Sequence, residues 1–387
     1  MNVRPFLLER YFAKYEFNAP YLLCSSDCET ISIEKLFELD GKKEETLRNF
    51  LNLRLGYTES RGDPELRKII ADIYESDKIE YENILTFAGA EEAIFLFMNS
   101  ILSKQDNVIS IFPSYQSLYE IPKSLKAKLT LWKLEERDGW YLDLDKLKKL
   151  IKKNTKLLIV NFPHNPTGYC PKEEEYKEII KICDKNGIIL FSDEVYRFLE
   201  YEIDTVKLNI KDSKPLEPAC NLYEKAVSLG VMSKSFGLAG LRIGWLASQN
   251  KGLLEKIAVL KDYTTICSSA PSEFLAKIAL KNKDKILKET KEIIFNNLKE
   301  LIYFFEKYKG YFNLSFPSGG SVAFPYYYND TDLLAQNLIN SKGVLLMPSS
   351  MFEYGKNHFR VGFGRKNMSQ ALRLFDQFCE ENLLKKD

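Results

Sequence analysis

Lys156-Leu157-Leu158-Ile159-Val160-Asn161-Phe162 is a short apolar run, and Ile188-Ile189-Leu190-Phe191-Ser192 is a second. Between them, residues 173–185 carry a helical pattern. Strand, helix and strand in that order make a βαβ unit, whose strands run parallel and whose helix covers one face. The alternation continues outward. Strand-like runs fall at 84–87, 107–112, 128–132, 226–229 and 242–247, with helical patterns at 91–102 and 144–152. The expected fold class is α/β, a mostly parallel seven-stranded sheet with helices on both faces. In such sheets ligands bind beyond the carboxyl ends of the strands, so the residues that follow strands are the ones to read for chemistry.

The flanks differ from this middle. Residues 5–17 place Phe6, Leu7, Tyr11, Phe12 and Tyr15 among charges at amphipathic helical spacing. Asp63-Pro64 is a helix start, with Asp as cap and Pro at the first position, ahead of Leu66, Ile69, Ile70 and Ile73 on one face. After about residue 270 the chain turns rich in Lys and Glu, predicting one long or broken helix over 276–308. Strands follow at 312–316, 321–326, 344–347 and 359–362, and helices at 332–341 and 368–382. A length of 387 residues exceeds what one core usually holds. The expected organisation is a large domain over 41–270 and a smaller α+β domain from 1–40 and 271–387. No repeat, low-complexity tract or Gly/Ser linker interrupts the chain, so the two are expected to pack closely.

Composition narrows the function. Apolar residues make up 45%, charged residues 28%, and the formal charge is +1 with both signs interleaved. Nothing in that balance recruits nucleic acid or an anionic membrane. The seven cysteines (24, 28, 170, 183, 220, 267 and 379) are odd in number, and His164 and His358 are the only histidines. Zinc takes about four N/S ligands, so Cys24 and Cys28 lack companions and no metal site is expected. Unpaired thiols indicate a reducing compartment. Arg4, Glu9, Arg10 and Lys14 break up the first 20 residues, which excludes a signal-peptide core, and no run nears the roughly 20 apolar residues of a membrane span. The expected location is cytoplasmic.

Six features lie at strand ends, and each has an ordinary reading beside a chemical one. Lys234, in Val231-Met232-Ser233-Lys234-Ser235-Phe236-Gly237, follows a buried-looking strand. A lone lysine is usually a solvated surface residue, yet small and apolar neighbours desolvate an amine and make it nucleophilic. Asp193 ends the run 188–192, with Tyr196 three residues on; it would cap a turn, or serve as a buried carboxylate facing a cationic ring nitrogen. Asn165-Pro166-Thr167-Gly168 is turn chemistry, or offers a side-chain donor to a phenolate oxygen. Gly89-Ala90-Glu91 opens a helix whose free N–H groups and positive dipole end suit a phosphate, though a ligand-free βα loop looks the same. Neither GxGxxG nor GxxxxGK[ST] is present, against a dinucleotide or nucleoside triphosphate. Arg242 and Arg360 each sit among apolar neighbours and need an anion, whether a structural carboxylate or a ligand's phosphate or carboxylate.

Together and in this order these pieces resemble the fold-type I pyridoxal 5′-phosphate (PLP) enzymes, specifically the class I/II aminotransferases. The resemblance runs from Gly56-Tyr57 to Arg360, and is most specific at Asn165-Pro166-Thr167-Gly168, at Ser192-Asp193-Glu194-Val195-Tyr196, and at Ser233-Lys234 with Arg242. It implies that Lys234 carries the cofactor as a Schiff base and later shuttles a proton. Asp193 would pair with the pyridine nitrogen, Tyr196 and Asn165 would bond the phenolate oxygen, and Tyr115 would stack on the ring. The loop at Gly89, with the N–H groups of Ala90 and Glu91, Arg242, and Ser233 or Ser235, would take the phosphate. Arg360, with Asn165, would hold the substrate carboxylate. Tyr57 would reach the neighbouring subunit's cofactor, making a homodimer the active unit. Cis peptides are expected at Pro113 or Pro166. One departure is Val231, where the family has a hydroxyl residue; a lost phosphate hydrogen bond costs about 1 kcal/mol.

The resemblance implies an aminotransferase moving an amino group between an L-amino acid and a 2-oxo acid. The same carbanion can instead expel a β or γ substituent, as in cyclising enzymes related to capreomycidine synthase, and Phe162-Pro163-His164-Asn165 and 261–267 have some likeness to that branch. Asp27 and Glu29, with Glu16, would then favour a cationic, arginine-type side chain; a solvated loop is the plainer reading. A PLP-fold regulator without turnover would need a DNA-binding segment, for which the N-terminal stretch offers neither length nor basic charge. A nicotinamide dehydrogenase fails for want of its glycine fingerprint.

Overall fold

The computed structural model describes residues 2–136, 139–204 and 206–384. Met1 and residues 385–387, part of the expected smaller domain, lie outside the described residues. The central sheet has seven strands: β1 (Ile84–Phe87), β2 (Asn107–Phe112), β3 (Lys128–Lys133), β4 (Thr155–Asn161), β5 (Ile189–Asp193), β6 (Ala226–Val231) and β7 (Gly244–Ala247). Their order across the sheet is β1-β7-β6-β5-β4-β2-β3. The pairs among β2 to β6 are parallel, while β7 runs antiparallel to both β1 and β6. Gly244, the first residue of β7, therefore pairs with Phe87 and Val231 at the carboxyl ends of its neighbours. The turn before β7 joins the loops after the parallel strands at one edge.

Successive strand residues point to opposite faces, and the core divides accordingly. Leu157 and Ile159 of β4 join one buried apolar cluster, while Leu158 and Val160 join a second. Phe191 and Leu190 of β5 divide in the same way. Burial on both faces is why these strands read as continuous apolar runs rather than alternating ones. The helices include α1 (Leu7–Tyr15), α2 (Ala90–Ile101) and α3 (Glu173–Asn186). The α3 helix is the crossover between β4 and β5, and it stops at Gly187, whose φ of 65° is the left-handed cap conformation. The capping read at Asp63-Pro64 is present: the Leu66 N–H donates to the Asp63 carboxylate at 2.9 Å.

Outside the central sheet the strands are short. Tyr21–Leu22 pairs parallel with Val344–Leu345, tying the N-terminal segment to the far end of the sequence. Val322–Ala323, Phe359–Gly362 and Met347–Pro348 form a three-stranded sheet, with Arg360 in its middle strand. The charged stretch at 276–308 is two helices, Ala270–Lys281 and Lys283–Lys307, separated at Asn282. A hairpin of Tyr201–Asp204 and Asn209–Asp212 was not legible in the sequence. Among the described residues, no helix is long and apolar enough to cross a membrane.

Candidate active site

The strand ends meet around a cavity of about 430 Å³. β4 and β5 are tied there by Asn161, whose side-chain amide donates to the Asp193 carbonyl at 3.0 Å while its oxygen accepts from the Asn165 N–H at 2.8 Å. The peptide bonds before Pro113, Pro163 and Pro166 are cis. Lys234, Asp193, Tyr196, Asn165, Tyr115, Ala90, Glu91, Ser233, Arg242, Arg360 and Asp27 all line the cavity. Gly89 stands just behind, with φ at 86°; a Cβ there would fall 2.5 Å from Nη2 of Arg242. Gly244 is as confined, since its Cβ would lie 2.8 Å from the Ala90 nitrogen. The start of α2 and the Arg242 guanidinium thus close on one another only because both positions lack side chains. The first N–H groups of α2 have no partner four residues back, which leaves them for a ligand.

The charged groups are short of partners. Arg360 is 1% exposed; its Nε donates to the Cys24 carbonyl at 3.1 Å and Nη1 to Oδ1 of Asn165 at 3.2 Å, while Nη2 is buried without a partner. Arg242 donates to the Ala239 carbonyl at 3.3 Å. Among the described residues neither arginine forms a salt bridge; Arg242 is exposed, but for the buried Arg360 the structural carboxylate that would explain its guanidinium is missing. Asp193 is 4% exposed and accepts from the Val195 N–H at 3.2 Å. Burial pushes its carboxyl up to about 7, against the opposing pull of that N–H and of the Lys234 charge. The Lys234 amine is held below its ordinary value by burial, opposed by the charge of Asp27. The arrangement suits a ligand with an anionic group at α2 and Arg242, a cationic atom at Asp193, an amine-reactive centre at Lys234, and a carboxylate at Arg360.

Other side chains have partners or positions that the sequence does not show. Asp27 is gripped by Arg365, Nε at 3.1 Å and Nη2 at 2.7 Å, so it is not a free charge, while a Glu29 oxygen accepts from the Lys366 N–H at 2.8 Å. Ser235 turns away and donates to the Arg197 carbonyl at 2.7 Å, leaving Ser233 facing the cavity. The Tyr196 hydroxyl donates to the Ser26 carbonyl at 3.0 Å. Tyr57 is 90% exposed and lies outside the cavity. His164 is fully buried, its Nδ1 2.8 Å from the Thr167 hydroxyl, and burial lowers it to about 3, so it stays neutral. Among the cavity residues to which the sequence assigns no role are Glu9, Asn161 and Ser26. Asn161 had a signal, as a polar residue closing an apolar run. Glu9 lies with Phe12 and Glu16 at i, i+3 and i+7, one face of α1 and its last turn, and the sequence could not tell that this face is turned inward.

The family model of aminotransferase class I and II matches residues 38–375. A capreomycidine synthase of Streptomyces vinaceus is 28% identical over 358 residues, 92% of this chain and 88% of that protein. A probable aspartate aminotransferase of Methanocaldococcus jannaschii is 27% identical over 380 residues, covering 92% and 95%. Among solved structures, a PLP-dependent aminotransferase from Streptococcus suis has a TM-score of 0.89 at 28% identity, covering 98% of this chain and 99% of that one. The PLP-dependent cyclase OrfR has a TM-score of 0.88 at 24% identity over 98% of each chain, a likeness of fold.

Proposed function

Because this chain belongs to the aminotransferase class I and II family, and is a pyridoxal 5′-phosphate-dependent transferase, we propose that it moves an amino group between an L-amino acid and a 2-oxo acid at the cavity around Lys234. The observation that carries this reading is the buried Arg360 with no carboxylate and a partnerless Nη2, set with the buried Asp193 carboxyl, which has no salt bridge, and Arg242 about one desolvated amine. The cofactor's own groups match them. The Ala90 and Glu91 N–H groups, Ser233 and Arg242 would hold its phosphate, and Asp193 its ring nitrogen. Bound PLP supplies an aldehyde that condenses with amines and a ring that withdraws electrons from the substrate's Cα. Lys234 would hold the aldehyde covalently and, once released, would carry the Cα proton. Arg360 receives the substrate carboxylate through Nη2, and Asn165, whose oxygen accepts from Arg360, keeps its amide free for the phenolate oxygen. Tyr115 would cover the ring, its hydroxyl donating to Glu9 at 3.3 Å. Tyr196 would reach the phenolate oxygen by giving up the Ser26 carbonyl. Val231 offers the phosphate no hydroxyl.

The division into a domain of 41–270 and another of 1–40 with 271–387 is supported by the pairing of Tyr21–Leu22 with Val344–Leu345. A homodimer is supported by the exposed apolar side chains Leu51, Leu55, Tyr57 and Tyr263, at 72%, 81%, 90% and 85%; Tyr57 would serve the partner's phosphate. Seven free thiols fit a cytoplasmic location. The purified protein should be yellow, and Lys234→Ala should abolish borohydride-fixed cofactor. A colourless protein that takes up no PLP ends this reading.

A second reading, elimination or cyclisation of an arginine-type amino acid, is favoured by the likeness to capreomycidine synthase and by Glu9 and Glu16. Neither carboxylate forms a salt bridge among the described residues, and burial raises that of Glu16. A cationic side chain extending from Arg360 past Phe12 would meet one of them. Product analysis with an amino-acid panel, with and without 2-oxoglutarate or pyruvate, separates the two. Turnover that needs the oxo acid is transamination, and turnover without it is elimination or cyclisation.

A further inference from the structure

We propose that Ser26 is a positioning residue: its hydroxyl holds the Lys234 amine whenever that amine is free, and so directs the proton that Lys234 exchanges with the substrate. The inference rests on the assignment of Lys234 above. Nζ of Lys234 donates to the Ser26 hydroxyl at 2.9 Å, while the Ser26 carbonyl accepts from the hydroxyls of Tyr196 and Ser321, each at 3.0 Å.

The segment that presents Ser26 is fixed from both sides. The Gly362 N–H donates to the Leu23 carbonyl, and the Glu29 N–H to the Gly364 carbonyl, each at 2.8 Å. Arg365 clamps Asp27 with two hydrogen bonds. A Cβ at Gly362 would fall 1.8 Å from the Ser25 oxygen, at Gly364 2.7 Å from that of Asp27, and at Gly237 2.1 Å from that of Glu29. Three missing side chains therefore let the segment lie this close to Lys234, and it has no room to shift.

A neutral amine has two N–H groups and one lone pair. Giving one N–H to Ser26 removes the free rotation that would otherwise turn the lone pair away from Cα. When the Cα–H bond breaks and the new N–H bond forms, the electron pair stays with the substrate and cofactor, and the ammonium keeps Ser26 as a charge-assisted acceptor. Ser26 thus favours the protonated amine. The other groups facing Lys234 are Asp27, Glu9, Glu16 and Cys28 from the N-terminal segment, Arg360 from its strand, Asp193 at the end of β5 and Tyr196 just after it. All of them remain in Ser26→Ala, so the comparison isolates one hydroxyl.

The test uses PLP-loaded wild type, Ser26→Ala and Ser26→Thr. Loss of α-deuterium from an accepted amino acid into water is followed by NMR across pH. Separately, the rate at which cofactor-free protein captures PLP is followed by absorbance across pH. Ser26→Ala should slow α-hydrogen exchange by about tenfold or more. Its acid limb, and that of PLP capture, should move to lower pH, because the ammonium has lost an acceptor. Ser26→Thr should return both limbs toward wild type. Exchange within about twofold of wild type and unmoved limbs in Ser26→Ala overturn the proposal. Borohydride-fixed PLP persisting in Lys234→Ala overturns instead the assignment of Lys234 on which it rests.

Discussion

Asp193→Asn should stabilise the cofactor-free protein at alkaline pH while weakening its hold on the cofactor. Asp193 is 4% exposed, and burial pushes its carboxyl up to about 7. In the unfolded chain the same group titrates near about 3.9. The folded value is the higher one, so the fold prefers the protonated acid. Its contribution is fully present below about pH 4 and is lost as pH rises to about 7. Three pH units at 1.36 kcal/mol each make that loss about 4 kcal/mol. Asparagine keeps the acceptor for the Val195 N–H and has no charge to desolvate, so the variant escapes the loss. The stability difference between variant and wild type should therefore grow by about 4 kcal/mol from about pH 4 to about pH 8. Urea unfolding of both cofactor-free proteins at the two pH values measures it. Adding PLP should reverse the order, because a cationic ring nitrogen stabilises the ionised carboxylate of the wild type and offers nothing to the amide. An equal difference at both pH values would refute the desolvation argument, and an equal gain from PLP in both proteins would refute the pairing.

Arg360→Lys keeps the charge but loses the planar fork, so kcat/KM for the amino acid should fall by about 30-fold or more while PLP uptake is unchanged; steady-state kinetics and an absorbance titration decide it. Gly89→Ala forces a side chain into φ of 86° and against Arg242. The PLP dissociation constant should rise by about tenfold or more, read by fluorescence titration. Glu91 accepts from the Ser117 hydroxyl, has one buried oxygen without a partner, and is held above its ordinary range by burial. It ionises as pH rises and then opposes a phosphate at the start of α2. Glu91→Gln should tighten PLP binding, and more so at about pH 9 than at about pH 6.

What the sequence made legible reflects the physics of each element. β4 and β5 stood out because strands buried on both faces are apolar throughout, and α3 because its period differs from theirs. The direction of β7 was not legible. A short run such as Gly244–Ala247 carries no mark of polarity, and the apolar pattern extends it back to Arg242, which in the structure sits before the strand at φ of 52°. Reversal of that strand is what brings Arg242 to Gly89. Lys234, Asp193 and Asn165 could be found because each follows its own strand. Asp27 could not be judged, since its partner Arg365 lies 338 residues away. A serine like Ser26 has no distinguishing neighbour in sequence; its partner Lys234 is 208 residues on.

That long-range placement ties specificity to chemistry. The N-terminal segment supplies the Cys24 carbonyl that orients Arg360, the Ser26 hydroxyl that takes Lys234, and the Ser26 carbonyl that takes Tyr196. Just upstream, α1 supplies Glu9, Phe12 and Glu16 to the same cavity. A change in this stretch that admits a new side chain therefore also bears on the substrate carboxylate's anchor and on the residue that moves its proton. Gly362, Gly364 and Gly237 leave the segment no slack to absorb such a change locally. Substitutions on the inward face of α1 should accordingly alter kcat along with KM, whereas the same changes on its outward face should alter neither. Enzymes of this architecture that differ in reaction are then expected to differ first in the segment laid over Lys234, because there one backbone path sets both which substrate enters and where its proton goes.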